Sequence, residues 1–100
     1  MTGQTAIPGA PCPAFHLPPM RDGHRALSWN ETRRFERIRV TAWTCHEHRV
    51  TFYEFCEAGG LAFIQRTFSD KKKKVVSQSE AWPLREARAV WIALLSGMVR

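Results

Sequence analysis

The chain has 100 residues, an apolar share of 44%, a formal net charge of +6 and a sequence pI near 9.9. This length suits one small domain, and no apolar stretch approaches the roughly 20 residues of a membrane-spanning helix. The uncharged, proline-broken start lacks the regions of a signal peptide, and three cysteines do not indicate a disulfide framework. We therefore expect a soluble intracellular protein with no membrane association, cytoplasmic, or nuclear in a eukaryotic host.

Residues 1–24 have the composition of a tail. Five of the six prolines fall within the first nineteen positions, and the first charged residue is Arg21. Proline removes backbone donors and blocks both helices and sheet ladders. We predict a flexible, proline-rich tail over residues 1–24 and a single small α+β domain over residues 25–100.

The domain is expected to begin with a short turn and a strand. The stretch 28–31, SWNE, has the spacing of a capping box and predicts a helical turn through residue 34. The following stretch, FERIRVTAW, alternates apolar and polar residues, which is typical of a half-buried strand. In this pattern Arg37 and Arg39 share a face with Trp43.

A hairpin is the clearest local prediction. Two runs rich in aromatic and β-branched residues flank Gly59 and Gly60, and glycine supplies the positive φ that a tight hairpin turn requires. Residues 69–73, SDKKK, predict a second turn, and residues 75–79 a short fourth strand.

The C-terminal segment predicts a helix. Pro83 suits the first turn, and Gly97 suits the position after the last turn. Apolar residues recur between them at steps of three and four, as on a helix packed against a core. We predict α+β architecture: an antiparallel meander of three to four strands with the C-terminal helix packed across one face. The apolar residues of the helix are Leu84, Ala87, Trp91, Leu94, Leu95 and Met98.

This element order, with basic residues on the sheet, is broadly similar over residues 49–97 to the small sheet-and-helix modules at the N-termini of tyrosine recombinases. The resemblance implies a sheet that lies in the DNA major groove. The neutral tail and the strand expected ahead of the hairpin depart from that pattern. The likeness is one of element order and charge, and it assigns no residue roles.

The lysines of the chain are consecutive, whereas its other eleven basic residues are arginines. Four lysines in a turn between strands predict contacts with a phosphate backbone, assisted by arginines of the neighbouring strands. The alternatives are a solvated turn that protects a strand edge from aggregation, and a nuclear-import signal. The residues predicted to contact nucleic acid are Lys71, Lys72, Lys73, Lys74, Arg66, Arg37 and Arg39.

A metal site has a possible ligand set. Cys12 and His16 have C-x3-H spacing, and Cys45 and His48 have C-x2-H spacing, which together offer four ligands for tetrahedral zinc. No pair has the C-x2-C spacing of a zinc knuckle, and the order matches no common zinc module. The preferred interpretation is therefore an ordinary polar turn, with no metal and no cofactor.

Catalysis has no recognisable motif, because the carboxylates are scattered and no glycine-rich loop joins a strand to a helix. We expect no enzyme and no small-molecule substrate. The leading hypothesis is a small basic protein that binds DNA or RNA, regulatory or from a mobile element. The alternative is an adaptor or inhibitor of a larger protein, with Trp82 as a contact, although ordinary packing is preferred for that side chain.

Overall fold

The computed structural model describes residues 14–31, 35 and 37–100. The paired strands are antiparallel and lie in the spatial order β1-β2-β3-β4, with β5 paired to the start of β3. The predicted α+β meander with a C-terminal helix is therefore confirmed. The elements are β1 (Arg39–Trp43), β2 (Thr51–Ala58), β3 (Leu61–Ser69), β4 (Lys74–Gln78), β5 (Trp82–Pro83) and helix α1 (Leu84–Leu95).

The hairpin of β2 and β3 forms where the sequence predicts it. Ala58 pairs with Leu61, so the loop consists of two residues, Gly59 with φ of 58° and Gly60 with φ of 81°. Positive φ at both positions is characteristic of the turn that matches the natural twist of a hairpin. This loop sets the register of the whole β2–β3 pair, because the pairing continues without a shift to Thr51 and Phe68.

The sheet buries side chains on both faces. We call the side covered by α1 the helix face, and Phe55 and Ile64 of this face pack with Trp91 and Leu94 of the helix. On the opposite face, Phe63 is fully buried, and the ring of Phe35 stacks on it at 4.9 Å between ring centres. Aromatic rings thus close the core on both sides, which is how a small domain buries enough apolar surface.

Strand β1 differs from its predicted alternation. A bulge between Val40 and Ala42 shifts the register, so that Arg39 lies opposite Glu57 while Trp43 lies opposite Glu54. The two glutamates are three positions apart in β2 and therefore point to opposite faces of the sheet. The prediction that Arg39 and Trp43 share a face is wrong, because the extra residue of a bulge reverses the alternation beyond it.

Helix α1 ends before Gly97, as predicted, whereas Pro83 lies in β5 immediately before the helix and not in its first turn. Its buried side chains, Ala87, Trp91 and Leu94, belong to the predicted stripe. Gly97 has φ of 80° and reverses the chain, and the N–H of Met98 donates back to the carbonyl of Ala93 at 2.8 Å. Met98 therefore lies beyond the helix and is 48% exposed.

The described N-terminal residues lie against the domain. The N–H of Arg21 donates to the carbonyl of Gly97, and the N–H of Arg25 donates to that of Met98, both at 2.9 Å. Residues 28–31 are not helical, and the rest of the predicted helical turn, residues 32–34, lies outside the described residues. Residues 1–13 do so as well, and the tail boundary at residue 24 stays a prediction.

Within the described ranges, α1 is the one helix, and its twelve residues are too few to cross a bilayer.

Candidate functional site

The sheet has two ends that differ in their connections. The glycine end carries the Gly59–Gly60 turn. The lysine end carries two connections: the β3–β4 turn, residues 70–73, which we call the lysine turn, and the 44–50 loop between β1 and β2. Because β2 has eight residues, the two ends are separated by roughly 25 Å at about 3.3 Å per residue.

The lysine turn is closed by the side chain of Asp70. One carboxylate oxygen, Oδ1, accepts the backbone N–H groups of Lys72 and Lys73, both at 2.8 Å. The N–H of Asp70 in turn donates to the carbonyl of Lys73 at 2.9 Å. These bonds define the backbone of the turn, and the side chains of all four consecutive lysines are exposed around it.

The 44–50 loop lies directly beside the lysine turn. The N–H of Ser69 donates to the carbonyl of Val50 at 2.7 Å, which places exposed Arg49 next to this end of β3. Arg49 is absent from the predicted site. The predicted meander could have indicated it, because the β1–β2 and β3–β4 connections of an antiparallel meander lie at the same end of the sheet.

Of the predicted arginines, Arg66 is partly occupied by the fold. Its guanidinium carbon, Cζ, lies 4.4 Å from the ring centre of Trp29, a cation–π distance. The indole N–H of Trp29 donates to the backbone carbonyl of Arg100 at 2.7 Å. Arg66 therefore lies against a tryptophan that is itself bonded to the Arg100 backbone on the helix face.

The other two predicted arginines lie near the glycine end. Arg39 forms an ion pair with Glu57 at 3.3 Å, with 76% of the arginine side chain exposed. Arg37 is exposed just before β1. The structure therefore does not bring Arg37 or Arg39 to the lysine turn.

An open groove borders the lysine turn on the helix face. One part, of about 360 Å³, is lined by Arg66, Phe68 and Val75. Phe68 pairs with Val75 one position before the Ser69–Lys74 pair that borders the turn. An adjoining part, of about 340 Å³, is lined by Arg49 and Arg100. We call this region the arginine groove after Arg49, Arg66 and Arg100.

Tyr53 lies at the junction of the two parts of the arginine groove. Burial raises the pKa of its phenol, while the positive charges of Arg100 and Arg66 act in the opposite direction. The groove is thus positively charged and has an aromatic floor.

Trp82 is half-buried and has an internal role. It pairs with Ala62 of β3, packs against the core of the helix face, and donates its indole N–H to Oε1 of Glu80 at 3.0 Å. These contacts agree with the preference for packing, and its contact with a partner stays a prediction.

Three of the four metal candidates converge at the lysine end. Cys45 is 1% exposed, and its Sγ lies 3.4 Å from Nδ1 of His48. The His16 ring centre lies 5.6 Å from that of His48, and one ligand atom from each of the three residues lies within 4.8 Å of the others. We call these three residues the Cys-His cluster. Cys12 lies outside the described residues.

The remaining described cysteine and the neighbouring histidine are not part of this cluster. Burial, and then the charge of Glu54, raise the pKa of the Cys56 thiol to about 12, against a lowering backbone hydrogen bond at Gln65. His46 instead lies against the ring of Phe52, at 5.6 Å between ring centres. Cys56 is therefore a core thiol. His46 lies in the same loop as Cys45 and His48 but outside the Cys-His cluster.

Comparisons of the chain with protein-family models, with curated proteins and with solved structures found no match.

Proposed function

We propose that the protein is a non-catalytic nucleic-acid-binding protein that contacts phosphates at the lysine end of its sheet. The observation that carries the proposal is the lysine turn, where Asp70 orders the backbone and four exposed lysines surround it. A turn with a defined backbone fixes the positions from which the lysine side chains extend, so binding costs less entropy than it would for a flexible arm.

The charge balance around the turn favours an anionic polymer. Lys71–Lys74 and Arg49 lie in or beside the two connections of the lysine end, whose acidic residues are Asp70 and Glu47. One oxygen of Asp70 already accepts two backbone hydrogen bonds. Lysine ammonium groups act as mobile point charges, which suits contacts with phosphates without base readout.

The arginine groove extends the same surface. Its wall includes Phe68 and Val75, which pair one position before the Ser69–Lys74 pair that borders the lysine turn, so a phosphate backbone on the turn lies close to the groove. Arg66 and Arg100 are partly buried there and are less screened by solvent than the lysines. Arg37 and Arg39, roughly 20 Å away at about 3.3 Å per residue of β2, are expected to contribute little.

The test compares two variants that lose the same charge. In the first, Lys71, Lys72, Lys73 and Lys74 become alanine. In the matched control, four exposed arginines outside the lysine end become alanine: Arg37, Arg39, Arg85 and Arg88. Each protein is titrated into duplex DNA and single-stranded RNA of mixed sequence over a range of salt concentrations.

We expect wild-type affinity to fall with salt, because bound phosphates release counterions. In the lysine variant the slope of log K against log salt should shrink by roughly 0.9 for each phosphate of duplex DNA that the protein no longer neutralises. The arginine control should retain most of the slope. Equal loss in both variants would mean that net charge alone binds, and no wild-type binding at low salt would refute the proposal.

The same experiment separates the protein-interaction alternative. If neither DNA nor RNA binds, while one specific protein co-purifies after nuclease treatment, the basic surface serves a protein partner instead. Trp82→Ala then becomes the variant to measure against that partner.

A further inference from the structure

We propose that His16, Cys45 and His48 form a binding site for a zinc ion, a role that goes beyond the proposed binding of nucleic acid and does not depend on it. In a tetrahedral zinc site with bonds of about 2.0–2.3 Å, neighbouring ligand atoms lie roughly 3.3–3.6 Å apart. The Cys45 Sγ to His48 Nδ1 distance is 3.4 Å, and the His16 ligand atom lies within 4.8 Å of both. The His16 side chain is exposed, which leaves its ring free to approach an ion held by the other two residues.

The 44–50 loop carries two of the ligands and holds them close together. Cys45 and His48 are three residues apart, and the backbone N–H of His48 donates to Cys45 Sγ at 3.3 Å. Such a hydrogen bond orients a sulfur ligand from outside the coordination shell. The loop thus forms a local chelate whose sulfur is buried and whose imidazole reaches solvent.

The third ligand comes from a distant part of the sequence and is positioned by the backbone. Phe15 forms a bridge with Thr44, and the N–H of Cys45 donates to the carbonyl of Phe15 at 2.9 Å. His16 follows immediately, so main-chain pairing brings its ring beside Cys45. An ion held by all three residues would cross-link the N-terminal segment to the β1–β2 connection.

The ligand chemistry selects the metal. One thiolate and two imidazoles suit Zn²⁺, whereas Mg²⁺ and Ca²⁺ prefer oxygen ligands. Three protein ligands leave one position of a tetrahedral ion for water or another donor. His16 and His48 are both exposed, which provides an entry path for the ion.

The test measures metal binding by the full chain, prepared with reduced thiols and without a histidine tag. Metal is removed with a chelator, after which Co²⁺ is titrated as a spectroscopic probe and Zn²⁺ in competition with a chromophoric chelator. The wild type is expected to bind one equivalent and to show sulfur-to-cobalt charge-transfer absorption. Zinc should also raise its unfolding temperature by mass action.

Four variants locate the site. Cys45→Ser should abolish the sulfur-to-cobalt band, while His16→Ala and His48→Ala should each weaken zinc binding by at least about tenfold. The two histidines are exposed, so these variants keep the test valid if loss of the buried cysteine prevents folding. His46→Ala is the matched control, because His46 lies in the same loop but against Phe52. It should bind zinc as the wild type does.

Three results would overturn the proposal. The first is less than one equivalent of zinc after reconstitution. The second is unchanged affinity in both His16→Ala and His48→Ala. The third is equal weakening by His46→Ala, which would indicate unspecific binding by exposed histidines. None of these results bears on the lysine turn, so the nucleic-acid proposal is judged separately.

Discussion

At the glycine end, strands β2 and β3 are covered on both faces, by the ring of Trp91 beside Phe55 and by the ring of Phe35 stacked on Phe63. At the lysine end the same two strands border an open groove at Thr51 and Phe68. Their connections there carry lysines, a thiol and imidazoles in place of apolar anchors. The same pair of strands is thus covered by apolar side chains near one end and open to solvent at the other.

The difference shows how a domain of 100 residues combines a packed core with a charged surface. The aromatic rings buried near the glycine end stabilise the fold, because each buried ring removes a large area from water. The other end carries charged and polar side chains, whose burial without partners would be unfavourable. Backbone hydrogen bonds, such as those to the Asp70 carboxylate, hold the lysine end in a defined conformation.

The largest expected effect comes from replacing a phenylalanine by alanine near either end of β3. Phe63→Ala should lower the free energy of unfolding by about 3–5 kcal/mol, because the side chain is fully buried. Phe68→Ala, at the half-exposed lysine end, should lower it by only about 1–2 kcal/mol. Urea unfolding of both variants measures the difference. Equal losses would show that the lysine end is packed as tightly as the glycine end.

A smaller loss of folding free energy is expected from a substitution in the glycine turn. Gly60→Ala should cost about 1–2 kcal/mol of folding free energy, since φ of 81° is unfavourable for a residue with a Cβ. No heavy atom lies within 4 Å of a Cβ added there, so the cost is one of backbone conformation. Gly59→Asn is the control and should cost less, because Asn-Gly is favoured in this turn. A neutral Gly60→Ala would contradict the assigned conformation.

The smallest effect is expected in the lysine turn. Asp70→Ala should cost about 0.5–1 kcal/mol, because water can replace the missing acceptor for two exposed N–H groups. Asp70→Asn keeps an oxygen in place and should be closer to the wild type. With its negative charge removed and its turn intact, it should bind nucleic acid at least as tightly. Weaker binding by Asp70→Asn than by Asp70→Ala would argue against an ordered turn as the contact.

Local sequence patterns were sufficient for much of the fold. The glycine pair predicted the hairpin because few other residues adopt positive φ, and Pro83 and Gly97 marked the limits of the helix for similar reasons of backbone conformation. The lysine run also predicted its own exposure. Four consecutive charged side chains cannot all turn inward from a short turn.

Other features depended on contacts that no local pattern contains. The bulge at Val40 and Ala42 separates Arg39 from Trp43, and it is visible only against the fixed register of β2. Strand β5 exists because Trp82 and Pro83 pass beside Ala62 and Leu61. Arg66 was predicted as a phosphate contact, but its position over Trp29 depends on residues far away in the chain.

Backbone propensity, periodicity and composition were enough to predict the α+β class, the two turns and the charge of the lysine end. Which basic residues share a surface depends on the packing of the strands, which places Arg49 beside the lysine turn and Arg37 and Arg39 away from it. The tertiary structure also brought His16 to Cys45 and His48 across nearly thirty positions of chain. Contacts between residues so far apart in sequence depend on strand register and on backbone pairing between distant segments, and no local sequence pattern predicts either.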